Sequence, residues 1–334
     1  MPYTLLQGGR RRRRRRWPAV ALVALTAAVT LLLAGRAGDP DAPRPRAAAE
    51  ETPAPGPLLD PGTAPLAGGG TAPSPLAVRL DDPRDTVSDG FRRPPAAGLL
   101  FDLDSGRVLW RHRPERVLPI ASLTKMMTAL VAVERLPEDG RVTITKEALA
   151  YTGSGVGMFK KGKRIAVGTM LHGLLLPSGN DAAIALAQQS AGSVPEFVAL
   201  MNARARAMGL ACTRFSTVSG IRDSGNHSCA PDLAAMARAV LREPRLARIV
   251  RRRSAVLPFP IKGRKLYLYN NNPLLRMGYR GTTGVKTGYT EAAGRCLVAT
   301  VRRGGRHLGI VLLDSPDPGR QAVRLFDRAF SRIR

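Results

Sequence analysis

The sequence predicts an α/β domain in which an antiparallel sheet is built from both ends of the folded chain, flanked by helices, with an α-rich subdomain beside it. Three observations carry this expectation. Apolar strand-like runs occur at Ala97 to Asp102 and Arg107 to Arg111, helical periodicity fills much of the stretch from Ser122 to Arg242, and strand-like runs return from Lys265 to Leu313 before a closing helix. Strands on both sides of a helical middle pair in one sheet when the two ends of the domain come together.

The amino end stands apart from that domain. The chain has 334 residues, 44% of them hydrophobic, enough for one catalytic unit with a full core. Lys plus Arg number 52 against 25 Asp plus Glu, a formal charge of +27. Such an excess raises nucleic acid or an anionic surface as partner. Seven of the arginines, Arg10 to Arg16, directly precede the uncharged apolar stretch Trp17 to Gly35, however, and this is how an export signal or membrane anchor is built. At ~1.5 Å per helical residue that stretch approaches the ~30 Å of a hydrocarbon layer. Small residues at Gly35 and Ala37 offer a cleavage site. Residues 1–37 are therefore expected to be a basic region plus signal peptide or transmembrane anchor, and no nucleic-acid partner is inferred. The Pro/Ala/Gly-rich stretch 38–94 lacks hydrophobic periodicity and is expected to be a disordered linker, leaving 95–334 as the catalytic domain.

Within the domain, Asp104-Ser105-Gly106 has the turn chemistry of a hairpin between the first two strands. Ser122 to Arg135 follows as a helix whose Leu123, Met126, Met127, Leu130 and Val131 share one face. Further helices are expected over Gly168 to Leu176, Asp181 to Ser190, Val194 to Met208 and Pro231 to Arg242, with Ser193 and Ser228 as capping serines. Strands are expected at Lys265 to Tyr269, Gly284 to Thr287, Arg295 to Arg302 and His307 to Leu313, the last two joined around Gly304-Gly305, and a helix from Arg320 to Ile333 closes the chain. Three cysteines permit at most one disulfide, with Cys212 and Cys229 the favoured pair over Cys296. The four histidines show no ligand spacing, so neither a metal nor a cofactor is expected.

Three short motifs carry chemistry. In Ser122-Leu123-Thr124-Lys125 the serine and lysine lie one helical turn apart, so the amine reaches the hydroxyl. A serine becomes a nucleophile when a base takes its proton, and a desolvated lysine near another cation has a pKa low enough to be that base. Ser178-Gly179-Asn180, at a helix junction, supplies a hydroxyl to pass a proton and a carboxamide to hold an amide; Ser224-Gly225-Asn226 repeats its letters in what looks like an ordinary polar loop. Lys286-Thr287-Gly288, on a strand, faces a cation and a hydroxyl toward a cleft while its glycine leaves room for a substrate backbone. Each motif alone has a plain structural explanation, as a helix cap, a polar loop or a strand end; the order of all three does not.

Together they reproduce Ser-x-x-Lys, Ser-x-Asn and Lys-Thr-Gly, the signature of penicillin-binding proteins and serine β-lactamases. With the flanks Ala121 to Ala129, Leu174 to Ala183 and Gly284 to Thr290, residues 95 to 334 closely resemble the low-molecular-mass D-alanyl-D-alanine carboxypeptidases, whose fold is β-lactamase/transpeptidase-like. The resemblance implies Ser122 as nucleophile, Lys125 as base and Ser178 as proton relay. It implies that Asn180 binds the substrate amide and helps to orient Lys125, that Lys286 and Thr287, with Gly288, receive the terminal carboxylate, and that the N–H groups of Ser122 and Tyr289 form an oxyanion hole. The implied partners are a peptidoglycan stem peptide and β-lactams, with the bacterial membrane reached through the amino-terminal apolar segment if it is uncleaved. Many members of that family continue into a β-rich domain and an amphipathic helix, which this sequence lacks after its closing helix, so any membrane attachment is expected at the amino end.

Three other readings share parts of this pattern. A class A β-lactamase carries Asp in the middle of the second motif, where Gly179 stands, and a deacylating glutamate on a later loop, for which Glu196 is the nearest candidate. A D,D-endopeptidase uses the same residues and differs in product. An inactive peptidoglycan-binding protein would not need every catalytic side chain.

Overall fold

The computed structural model describes residues 74–332 apart from 83, 84, 89, 222–224 and 261–263. The arginine run, the apolar span and most of the linker lie outside the described residues, as do Ser224 of the second Ser-Gly-Asn copy and Ile333. No helix among the described residues is long and apolar enough to cross a membrane.

The strands β1 (Ala97–Asp102) and β2 (Val108–His112) open the domain, followed by the short β3 (Leu118–Pro119). A 3-10 turn, Ala121–Thr124, leads into helix α1 (Lys125–Arg135). The middle contains β4 (Arg141–Thr143), α2 (Lys146–Leu149), β5 (Arg164–Ala166), α3 (Val167–Leu175), α4 (Asn180–Ala191) and α5 (Val194–Ala207). Then come β6 (His227–Ser228), α6 (Ala230–Arg242), α7 (Pro244–Val250), β7 (Ser254–Pro258), β8 (Lys265–Tyr269) and α8 (Pro273–Arg276). The chain closes with β9 (Thr282–Thr290), β10 (Gly294–Arg303), β11 (Arg306–Leu313) and α9 (Pro318–Arg332).

The main sheet has the order β2-β1-β11-β10-β9, antiparallel throughout, so the first strand pairs with the last and Ala97 stands opposite Leu313. The β10–β11 hairpin turns at Gly304 and Gly305, both at positive φ, as a two-residue turn of this hand requires. Period-two alternation divides the core between the two faces. Leu99, Phe101, Val311 and Leu313 pack with the helical middle, whereas Leu100, Ile310 and Leu312 pack with Leu325 and Phe326 of α9. Covered on both faces, these strands read as continuous apolar runs. Each such side chain contributes roughly 1.5–3 kcal/mol on burial. In α1 every residue from Lys125 to Ala132 is buried, so the helix that begins at the first motif's lysine runs through the centre of the domain.

The structure departs from the sequence expectations in three places. The folded part begins well before residue 95. Arg79 N donates to Gly106 O, Thr86 N and Val87 N both donate to Leu109 O, and Arg238 donates to the carbonyls of Leu76 and Ala77. Leu76, Val78 and Leu80 also pack on the core at alternate positions and Val87 is buried, a period-two pattern too short to stand out in a Pro/Ala/Gly-rich stretch. Lys265 to Tyr269 is a strand, but it pairs with Ser254–Pro258 in a separate hairpin. Its Leu266 and Leu268 are buried while Tyr267 and Tyr269 are exposed, a one-faced pattern unlike that of the main sheet. Ser193 caps α5, whereas Ser228 does not cap α6: it lies in β6 and its hydroxyl meets Thr213 Oγ1.

Candidate active site

The three motifs converge at the open edge of the main sheet. β9 is the edge strand, so one side of it has no strand partner in the sheet. The 3-10 turn bearing Ser122 packs directly on β9. A Cβ built on Gly288 would lie 2.9 Å from Ile120 O and 3.2 Å from Ser122 N. Only a glycine lets the strand approach the nucleophile's backbone this closely, which explains the third motif's last residue.

Ser122 is half-buried and Lys125 fully buried. Lys125 Nζ lies 2.9 Å from Ser122 Oγ and donates to Ser219 O at 2.8 Å. A carbonyl only accepts, so one N–H of the amine is committed to Ser219 and the nitrogen is held beside the serine hydroxyl. Burial, and then the neighbouring Lys286 charge, hold the Lys125 pKa well below the ordinary lysine value, with Asp181 opposing them. The strand lysine is equally enclosed. Lys286 Nζ donates to Ser178 Oγ at 2.9 Å and to Thr287 O at 2.8 Å, and burial pushes its pKa down to about 7.

Ser178 occupies the left-handed region at φ +70°, a conformation costing an L-residue roughly 1–2 kcal/mol. Gly179 N donates to Gly173 O, and the Asn271 side chain donates to Pro177 O, which together hold the bend. The middle of the motif has no room for a side chain. A Cβ on Gly179 would lie 2.7 Å from Asp181 Oδ1 and 3.0 Å from both Gly173 O and Val156 Cγ2. Asn180 donates from its side chain to Thr152 O and from its backbone to Ser154 O, while its buried Oδ1 has no hydrogen-bond partner among the described residues. That orphaned acceptor is suited to a substrate N–H.

Thr287 is half-buried, and the Tyr289 side chain is exposed at the mouth. A recess of about 540 Å³ next to them is bordered also by Gly288, Asn271, Arg295 and Arg320, and pockets of this size hold drug-sized ligands. All eight site residues singled out in the sequence thus belong to one neighbourhood. One expected contact is corrected: Lys125 is oriented by Ser219 O, not by Asn180, whose amide is taken by Thr152 O. Glu196 is exposed and meets Ser193 at the start of α5, so it faces solvent.

Two contributors had no motif. Gly220, at φ +72°, brings Ser219 against Ala121: a Cβ there would lie 1.9 Å from Ala121 O. Thr128 Oγ1 donates to Val218 O and fixes the same segment, which the Cys212–Cys229 disulfide encloses. Asp181, fully buried, accepts from the N–H groups of Val156, Gly157 and Ala182 and so ties the loop after α2 to the second motif. An acid in the first turn of α4 was the one available signal; a backbone carbonyl such as Ser219 O leaves none.

Residues 95–317 match the family described as D-alanyl-D-alanine carboxypeptidase. The chain is 33% identical over 244 residues to D-alanyl-D-alanine carboxypeptidase DacF of Bacillus subtilis, covering 71% of this chain and 62% of that one. It is 36% identical over 253 residues to a D-alanyl-D-alanine carboxypeptidase of Mycobacterium tuberculosis, covering 73% of this chain and 84% of the relative. Among solved structures, the DD-transpeptidase of a Streptomyces strain matches with a TM-score of 0.68 at 29% identity, over 73% of this chain and 100% of that one. The chain spans 62%, 59% and 56% of the length of the first curated relatives it matches. With the antiparallel sheet, the three motifs at its edge and the match from residue 95 to 317 in agreement, the chain belongs to the D-alanyl-D-alanine carboxypeptidase family.

Proposed function

We propose that the chain is a serine D-alanyl-D-alanine carboxypeptidase that removes the terminal D-alanine of peptidoglycan stem peptides through an acyl-enzyme. The observation that carries this reading is the pair of buried lysines, each with its Nζ 2.9 Å from a motif serine hydroxyl. Lys125, with its pKa depressed by burial, takes the proton of Ser122 as Oγ attacks the carbonyl between the two D-alanines. The new oxyanion is received by the N–H groups of Ser122 and Tyr289. Because Lys286 donates to Ser178 Oγ, the serine's own proton is free to be passed to the leaving amine. Lys286 and Thr287 receive the carboxylate, Asn180 holds the substrate amide, and water then releases the shortened peptide.

β-Lactams, which mimic the D-alanyl-D-alanine end, acylate the same serine. The chemistry places the domain outside the cytoplasm, at the wall. The arginine-flanked apolar span either anchors it to the bacterial membrane or is cleaved on export, and the linker that follows spans the gap to the catalytic domain. The crowding at Gly179 argues against the class A β-lactamase reading, whose aspartate has no room there.

The test is intact mass after incubation with benzylpenicillin, in parallel with Ser122→Ala. A single stable adduct on the wild type alone is expected. Absence of an adduct with the antibiotic intact refutes the enzyme reading, and its hydrolysis without an adduct favours a β-lactamase.

A further inference from the structure

From Pro244 to Thr290 the sequence contains no Asp or Glu and eleven Lys or Arg residues. Five of the six exposed large hydrophobic side chains among the described residues, Val256, Tyr267, Tyr269, Met277 and Tyr289, belong to the same stretch. A surface that owed its arginines only to overall composition would not gather its exposed apolar groups in the same place.

The β7–β8 hairpin organises them. Its register sets Tyr269 opposite Ser254, Tyr267 opposite Val256 and Lys265 opposite Pro258. Its inner face buries Ala255, Leu266 and Leu268. On the outer face Tyr267 is 58% and Tyr269 68% exposed, where an ordinary one-faced hairpin presents polar residues. At the base of the hairpin Arg253, Tyr269, Asn270, Asn271 and Arg276 border a recess of about 480 Å³. The side chains of Arg253 and Arg276 make no ion pair or hydrogen bond with any described residue. Asn271 also borders the recess beside Thr287, Gly288 and Tyr289 and donates to Pro177 O next to Ser178, so the cationic recess adjoins the catalytic motifs.

We infer that this face binds polymeric peptidoglycan along its glycan strand, with the tyrosine rings lying against the sugars and the arginines of the recess taking free carboxylates of the stem peptides that the strand carries. The inference rests on the carboxypeptidase reading and names the substrate of that site as the assembled polymer. A guanidinium without a partner among the described residues is free to pair with a carboxylate. A tyrosine ring offers a flat apolar face, matching the C–H face of a sugar, together with a hydroxyl that remains in water. Adjacency to the catalytic motifs explains the location: a stem peptide held at Ser122 carries its glycan along the adjoining surface.

The test compares the wild type with Arg253→Glu/Arg276→Glu and with Tyr267→Ser/Tyr269→Ser. D-Alanine release is measured from a soluble peptide ending in D-alanyl-D-alanine and from purified peptidoglycan freed of attached polymers. Sedimentation with that peptidoglycan is measured for each surface in the inactive Ser122→Ala background. Release from the soluble peptide is expected to stay within about twofold, while release from the polymer and co-sedimentation fall about tenfold or more, as for loss of central interface contacts. Binding of the unaltered surface is expected to weaken as salt rises. Parallel loss on both substrates would mean damage to the cleft and would overturn the inference, as would unchanged release from the polymer. Loss of binding to phosphatidylglycerol vesicles with sedimentation unchanged would assign the face to lipid and also overturn it. A wild type that cleaves neither substrate and takes no benzylpenicillin would defeat the carboxypeptidase reading, while sedimentation of the Ser122→Ala chain would still report on the glycan face.

Discussion

Replacing Gly220 by alanine separates the positioning of Lys125 from its mere presence. The added Cβ would lie 1.9 Å from Ala121 O and 2.7 Å from Thr124 Oγ1, and it would sit on a backbone at φ +72°. Real Cβ contacts stay beyond 3.0 Å, so the Val218–Gly220 segment must withdraw by about 1 Å, carrying Ser219 O away from Lys125 Nζ. A misplacement of ~1 Å near a reacting group costs up to ~10²-fold in rate, equivalent to ~2.7 kcal/mol of barrier. Stability falls too, by ~1–2 kcal/mol for the left-handed alanine and ~1–3 kcal/mol for the overlap. In a domain of this size each of those lowers Tm by roughly 2–4 °C per kcal/mol. The assay is the second-order acylation rate with a fluorescent penicillin, taken well below the variant's Tm. Gly278→Ala is the control, since Gly278 has φ +69° and nothing within 4 Å of a built Cβ, so it bears the backbone strain alone. The expected result is a large drop in acylation for Gly220→Ala and none for Gly278→Ala. A Gly220→Ala chain acylated at the wild-type rate would refute the positioning role of Ser219, and an unchanged Tm would refute the close approach itself.

Acylation by a carboxylate-free ester is expected to rise with pH as the depressed pKa of Lys125 is crossed. With a free carboxylate on the substrate, a falling limb near pH 7 is expected as Lys286 loses its charge; the absence of that second limb, in rate profiles of paired substrates, would remove Lys286 from carboxylate binding. The same lysine has an unfolded pKa near ~10.4, so between about 7 and ~10 the unfolded chain binds more protons and stability should climb with pH, a climb that Lys286→Met would reduce to the part Lys125 contributes in denaturant titrations. Reducing the Cys212–Cys229 disulfide, which spans 17 residues, should cost about 3 kcal/mol by loop entropy and slow acylation as well, because that loop contains Ser219; a lower Tm with unaltered acylation would place the support of Ser219 entirely in Gly220 and Thr128. Gly179→Asp should abolish acylation and lower Tm rather than create a β-lactamase, since the new carboxylate has no space beside Asp181; antibiotic hydrolysis by that variant would contradict the packing.

How much of this was legible in the sequence depended on where the signal resided. Elements with a strong period, such as α5 and the β10–β11 hairpin, were placed nearly to the residue. Leu76, Val78 and Leu80 alternate over too few residues, amid Pro, Ala and Gly, to outweigh a linker composition, and β8 was recognisable as a strand without its sheet being knowable. The site divides in the same way. Side chains that perform chemistry sit in motifs because their identity is fixed, whereas the Ser219 carbonyl could be contributed by nearly any residue, and the requirement reappears only at Gly220, where a side chain has no room.

The deeper limit concerns the lysines. Ser-x-x-Lys on a solvated helix is inert, because an ammonium in water keeps its proton near pH 10 and has no lone pair to offer. What turns Lys125 into a base is its complete burial in the centre of the domain, with Lys286 near enough to oppose its charge. Burial of this kind costs stability unless the amine is neutral or hydrogen-bonded, and here each amine has both a hydroxyl and a carbonyl within 2.9 Å. The base therefore depends in part on the second lysine. Replacing Lys286 by methionine should raise the Lys125 pKa and move the rising limb of ester acylation to higher pH, whereas Thr287→Val, which leaves both amines in place, should weaken carboxylate binding with that limb unmoved. Equal limbs in the wild type and Lys286→Met would show that burial alone sets the base, and that the second lysine serves only the carboxylate.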